Sequence, residues 1–282
     1  MLDRRLDAFR PDLADLRLEG RVQAAAFVAG RPAHVRSPVL DMRRSASLDS
    51  GIDTQLLPGQ DVVVFDETEG FAWVQSLADG YVGYVSGNGL AAGPSKAGHV
   101  VSVPRTFVYP TADLKTVPTA ALSMGSLLEV AGHEERRGMR YALLPSGEAV
   151  IARHLRPRAE YAADYVAVAE DLVHTPYLWG GATAFGIDCS GLVQLALAMA
   201  GRQVLRDSDM QAQSIGTEID PAGEPLRRGD LVFWKGHVAI LTDPGTIVHA
   251  NGDTMTVARE TLAGAVARIG YLYGQPTVYR RP

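Results

Sequence analysis

The sequence predicts an α+β protein in which two small β-barrels precede a domain with helices first and an antiparallel sheet afterwards. Three observations carry this. A strand-and-turn pattern occurs twice, opened by Gly59 and Gly125, 66 residues apart; helical apolar spacing sets in after residue 157; and three strand-like runs joined by turn residues follow near the C-terminus.

The first copy reads "GQDVVVFDETEGFAWVQSLADGYVGYVSGNGL", with Val62–Phe65, Phe71–Leu77 and Tyr81–Val85 as short apolar-alternating runs separated by "ETEG" and "ADG". The second, "GSLLEVAGHEERRGMRYALLPSGEAVIARHL", places "RRG" and "PSG" at the equivalent turns and Tyr141 near the place of Trp73. Two copies suit a duplicated barrel, whereas a solenoid needs three or more units. The linker "AAGPSKAG" (91–98) separates them. The expected segments are an N-terminal extension (1–19), two barrels (20–92 and 98–157) and a final domain (158–282).

In the final domain "AEYAADYVAVAEDLVHT" has helical spacing up to Pro176, and a second helix is expected from Cys189 to about Ala200, with Gly201 as its stop. "GDLVFWKGHVAILTDPGTIVHANGD" then reads as a β-meander with turns at "KG" and "DPG".

Composition narrows the function. The 282 residues are 46% hydrophobic and 21% charged with a net charge of −5, an ordinary globular balance without the basic footprint of a nucleic-acid binder. The opening "MLDRRLDAFRPDLADLRLEG" lacks the apolar stretch of an export signal, and no window reaches the length of a membrane span, so a cytosolic protein without a membrane partner is expected. Its one cysteine, Cys189, can form no internal disulfide.

Asp188 is a good N-cap, which puts Cys189 in the first turn of its helix, where the dipole is expected to lower the thiol pKa and favour thiolate. A cysteine nucleophile needs an imidazole base and a group to orient it. If "DPG" is a three-residue loop, Thr242 faces Thr246, and His237 and His249 become diagonal neighbours on one face, with Asn251 opposite His237. A two-residue loop would flip that parity. His237 is then the base and His249 the orienting group, with Asn251 as the alternative. His34, His99, His133, His154 and His174 read as surface or strand-end histidines, His174 being nearest the glycine-rich loop.

"TPYLWGG", "IDCSGLVQ", "RGDLVFWKGHVAI" and "IVHANG" together resemble the NlpC/p60 cysteine peptidases of bacterial cell-wall metabolism, a papain-like fold, across most of residues 160–282. The resemblance implies catalytic roles for Cys189, His237 and His249, and Tyr177 as an oxyanion donor. The N-terminal duplication resembles bacterial SH3-like (SH3b) domains. This arrangement is similar to the γ-D-glutamyl-L-diamino acid endopeptidases, which cut free murein peptides after D-glutamate when L-alanine carries a free amine. The implied partner is therefore a small murein peptide, and no cofactor is implied. For substrate binding the resemblance points to Asp207, Ser208, Ser190, Asp188 and, from the first SH3-like domain, Tyr81 with an acidic residue among Asp41, Asp53, Glu67 and Glu69. Asp207 reads equally well as the N-cap of "SDMQAQ", and Tyr81 as strand packing. An amidase or acyltransferase, a non-catalytic peptide-binding module and a metal site built from Cys189, His237 and His249 are the competing functions; the metal site lacks the short paired spacings of zinc motifs.

Overall fold

A computed structural model describes residues 2–282, so Met1 of the expected N-terminal extension lies outside the described residues. The chain divides into two compact units, one running to Glu160 and one of Tyr161–Pro282.

In the N-terminal unit, the first copy forms one seven-stranded antiparallel sheet in the order Ile52–Leu56, Leu40–Arg43, Val82–Ser86, Phe71–Ser76, Asp61–Thr68, Arg31–Val35, Leu90–Ala92. The second forms a five-stranded sheet (Ala120–Ser123, Arg105–Tyr109, Ala149–Ile151, Met139–Leu143, Gly132–Arg136) and a separate three-stranded one (Leu127–Leu128, His99–Val101, Leu155–Pro157). The strand pairings do not confirm the expected pair of barrels: among the described residues neither copy is a single closed barrel. The duplication is nonetheless visible in the register. Val35 pairs with Leu90 and Ala33 with Ala92, while Val101 pairs with Leu155 and His99 with Pro157. In each copy a short 3₁₀ turn, Gly87–Gly89 or Ala152–His154, leads into the last of these strands. The expected linker starts too early, because Ala91 and Ala92 belong to that last strand.

The N-terminal extension packs onto the first sheet. Ala8 joins Phe65 and Trp73 in an apolar cluster, and the Arg10 guanidinium lies 4.5 Å from the Trp73 ring and 2.8 Å from Asp66.

The C-terminal unit has four helices, α1 (Tyr165–Asp171), α2 (Cys189–Met199), α3 (Ser208–Ser214) and α4 (Leu262–Tyr273). Its six-stranded antiparallel sheet runs Thr217–Ile219, Val278–Arg281, Leu231–Trp234, His237–Asp243, Thr246–Asn251, Thr256–Thr261. α1 is shorter than its sequence pattern because the Asp164 side chain caps it at Val166 N–H, and it ends well before Pro176. α4 and the returning strand Val278–Arg281 depart from the expected order of helices before strands. Ala265 and Ile269 of α4 pack with Val232, Trp234, Ala239, Leu241 and Ile247, all nearly inaccessible to solvent. α2 packs against the neighbouring strands His237–Asp243 and Thr246–Asn251.

The hairpin between those strands differs from expectation in its turn and agrees in its register. Asp243 pairs with Thr246 around a two-residue turn, which alone would have inverted the side-chain parity. Thr242 is an extra residue that shifts the register, so Leu241 pairs with Ile247 and Ile240 with Val248. One bulge thereby restores the arrangement in which His237 and His249 meet. Deleting Thr242 keeps the turn but reverses Val238 to Leu241, all buried, between the two faces; urea unfolding is expected to show a loss of at least ~3 kcal/mol, several buried side chains each contributing about 1.5–3.

Candidate active site

The glycine-rich loop and the start of α2 are held by a buried ion pair. Arg206 is 1% exposed and forks onto Asp188, with Nη1 to Oδ1 at 2.9 Å and Nη2 to Oδ2 at 2.6 Å. Asp188 Oδ1 also accepts from Gly191 N–H (2.7 Å), capping α2, and Oδ2 accepts from Gly180 N–H (3.0 Å). Ser190 Oγ completes the cluster, donating to Asp188 (3.3 Å) and accepting from Arg206 (2.8 Å). Gly191 is required here: a Cβ would stand 2.4 Å from the Gly181 backbone oxygen. The side chains of Asp188 and Ser190, both expected to bind substrate, hold Arg206 and the α2 cap in this structure.

Cys189 therefore occupies the first turn of α2, 7% exposed. The backbone N–H of Val238, the residue after His237, donates to its sulfur. Contrary to the expected thiolate, burial and then the neighbouring Asp188 charge push the thiol up to about 12, outweighing the Val238 and helix N–H groups. Burial, followed by repulsion from His249, pushes His237 down to about 3. Both shifts favour a neutral thiol beside a neutral imidazole.

His237 Nε2 lies 2.8 Å from His249 Nδ1, leaving Nδ1 as the remaining ring nitrogen of His237. The two rings meet edge to face at 5.1 Å, and Trp234 flanks His237 at 5.7 Å. Facing nitrogens bonded to each other do not converge on a common metal position, unlike the ligands of a zinc site. Of the two candidate orienting groups, the His249 ring is the one within hydrogen-bond distance of His237. Asn251 Oδ1 accepts from Asp253 N–H, Thr254 N–H and the Thr254 hydroxyl, fixing the turn after its strand.

Tyr177 is held by its N–H donating to the Met255 carbonyl (2.8 Å). Burial and then the nearby Cys189 raise its phenol pKa, so it stays a protonated donor. His174 is exposed on the same loop. Asp207 is the N-cap residue of α3 by position, but its side chain makes no capping bond, and Ser208 opens that helix.

In the N-terminal unit Tyr81 is 4% exposed and belongs to the apolar cluster of its own sheet. Asp41, Asp53 and Glu67 pair with Arg43, Arg44 and Arg31, and Glu69 takes a positive φ of 52° in an exposed turn.

One residue absent from the sequence expectations joins the site. Glu260 Oε1 stands 2.7 Å from His249 Nε2, and its other partner is Arg268 of α4. The period-two pattern of "TVARET" held the signal: Ala258 pairs with His249, so Glu260 shares its face two residues on.

Known proteins match both units. Residues 174–269 match the NlpC/P60 family, and residues 42–90 match the bacterial dipeptidyl-peptidase SH3 domain. Dipeptidyl-peptidase 6 of Lysinibacillus sphaericus is 32% identical over 134 residues, 44% of this chain and 49% of that protein. A γ-D-glutamyl-L-lysine dipeptidyl-peptidase of Bacillus cereus is 28% identical over 253 residues, 76% of this chain and 72% of the relative. The chain thus spans about half the length of the first relative and nearly three quarters of the second. A crystal structure of an NlpC/P60 family protein from Bacillus cereus superimposes with a TM-score of 0.73 at 20% identity, covering 89% of this chain and 99% of that one, which establishes the shared fold.

Two outcomes follow from this geometry. Arg206→Met leaves the Asp188 carboxylate buried without its countercharge, and urea denaturation should register a loss of about 3–5 kcal/mol. The alkylation rate of Cys189 by iodoacetamide should climb steadily from about pH 7 to about pH 10, because the thiolate fraction is still rising throughout that range; a plateau beginning below pH 7 would instead report a thiolate–imidazolium pair.

Proposed function

We propose that this chain, in which an NlpC/P60 domain follows a bacterial SH3 domain, is a cysteine endopeptidase that cuts the γ-D-glutamyl to L-diamino acid bond of murein peptides bearing a free N-terminal L-alanine. The observation that carries the reading is the 2.8 Å His237–His249 bond, on a strand whose next N–H donates to the thiol at the start of α2. The bond chosen follows the name of the γ-D-glutamyl-L-lysine dipeptidyl-peptidase of Bacillus cereus.

In this mechanism the Cys189 sulfur attacks the γ-carbonyl of D-glutamate while its proton passes to His237 Nδ1. The neutral imidazole has a lone pair free to accept that proton, and a thiol that starts protonated becomes nucleophilic only as the proton leaves. The carbonyl oxygen gains negative charge and is met by the Cys189 backbone N–H, which has no partner within the helix, and by the Tyr177 hydroxyl. The C–N bond breaks as His237 returns the proton to the leaving amine of the diamino acid. Water, deprotonated by the same imidazole, then hydrolyses the thioester and releases L-Ala-γ-D-Glu. His249 holds the His237 ring in position throughout.

Recognition of the free amine falls to Asp207, aided by Ser208, because an ammonium in a cleft needs a carboxylate partner. Such an enzyme would serve the recycling of murein peptides in the cytosol.

Mass spectrometry of L-Ala-γ-D-Glu-meso-diaminopimelate and its L-lysine counterpart, each with and without N-acetylation, tests the reading. Wild type is expected to release L-Ala-γ-D-Glu from the free-amine peptides only, and Cys189→Ala to fall by at least ~10⁴-fold. Equal cutting of acetylated peptides would remove the amine specificity. No cutting of either series would favour an amidase or a binding module.

A further inference from the structure

We propose that Glu260 is a positioning residue that fixes the tautomer of His249 and, through it, keeps His237 in the form that can take a proton from Cys189. The inference rests on the assignment of Cys189, His237 and His249 as nucleophile, base and orienting group.

The argument is one of proton counting along two short contacts. Glu260 is held ionised: the His249 ring and Arg268 together keep its carboxyl below the usual range despite partial burial. A carboxylate only accepts, and although the 2.7 Å contact with His249 Nε2 is not aligned as a hydrogen bond, its negative charge at that distance favours the proton on that nitrogen. His249 Nδ1 is then a bare lone pair. It faces His237 Nε2 at 2.8 Å, and two lone pairs repel at that distance, so His237 must carry its own proton on Nε2. His237 Nδ1 is thereby left bare and able to act as a base.

Reversing one proton reverses all of them. With the proton on His249 Nδ1, that nitrogen donates to His237 Nε2, the His237 proton moves to Nδ1, and the ring can no longer accept from a thiol. His249 is 1% exposed, so no bulk water supplies the choice, and the neighbours decide it. The charged or titratable groups around this chain are Cys189 on α2, His237 on its strand, Glu260 on the adjoining edge strand and Arg268 on α4, with Asp253 3.7 Å from Arg268. Among them Glu260 alone is an anion at a ring nitrogen of His249. It also lies in line with the positive charge that forms on His237 during attack, so it favours that state as well as the resting tautomer.

The test combines a substrate-free readout with turnover, on the full chain. Imidazole ¹⁵N NMR of wild type should show His249 protonated at Nε2 and bare at Nδ1, and Glu260→Ala should give a mixture of tautomers. On the murein peptide, Glu260→Ala should lower kcat by about 10- to 100-fold with KM nearly unchanged, less than the ~10⁴-fold seen when a triad is locked in the wrong tautomer. Glu260→Asp should recover part of the loss, and in a His249→Ala background Glu260→Ala should cost nothing further. Should Glu260→Ala fail to fold, Glu260→Gln, which keeps the shape and removes the charge, replaces it with the same expectations. An Nδ1-protonated His249 in wild type, an unchanged tautomer in the variants, or an undiminished loss in the His249→Ala background would overturn the proposal. Absence of turnover by wild type would overturn the peptidase reading alone, because the NMR result stands without substrate.

Discussion

The Arg206–Asp188 pair is the contact on which the site depends. Both groups are almost wholly removed from water, and neither charge would be tolerable there without the other. Its geometry does three things together. It satisfies the carboxylate that caps α2, it fixes the loop through Gly180 and Gly181, and it ties Ser190 into the same cluster. Gln211 of α3 reinforces it by donating to the carbonyls of Ser190 and Leu205. The thiol is consequently delivered to a helix start whose direction is set by buried polar bonds rather than by the cysteine itself.

Against that fixed nucleophile the sheet presents the imidazoles. Burial of both partners disfavours charge separation in the resting site, so in the proposed mechanism the proton moves only when a carbonyl is present to take the sulfur's electrons. A neutral resting pair also limits reaction of the thiol with unrelated electrophiles, since thiolate is the reactive form. The cost of forming an imidazolium in such a place is offset by polar groups already aligned beyond it, His249 and then the Glu260–Arg268 pair. The proposed chemistry thus draws on His237, His249, Glu260 and Arg268, from three strands and α4.

Much of this was legible in the sequence, and the failures have physical causes. The duplicated strand pattern was visible because period-two alternation and glycine turns are local, whereas closure of a barrel is decided by strand pairings far apart in sequence. The helix at Cys189 was visible from Asp188 and Gly201. The histidine register came out right although the turn was tighter than supposed, since no local rule announces a bulge at Thr242. The thiol shift went the wrong way because the helix dipole is local and readable, while desolvation is set by the tertiary packing around residue 189. Arg206 was missed for a similar reason. A single arginine in "LRDSD" carries no sign of a partner 18 residues earlier.

Accumulation of a covalent intermediate tests the central claim, that the Cys189 sulfur is the attacking atom, most directly. Intact-protein mass spectrometry of the enzyme acid-quenched within the first turnovers of L-Ala-γ-D-Glu-meso-diaminopimelate should reveal an added L-Ala-γ-D-glutamyl group. Peptide mapping should place it on Cys189, and it should disappear as substrate is exhausted. Peptide cleavage that persists in Cys189→Ala, with no adduct at any time in wild type, would contradict the account.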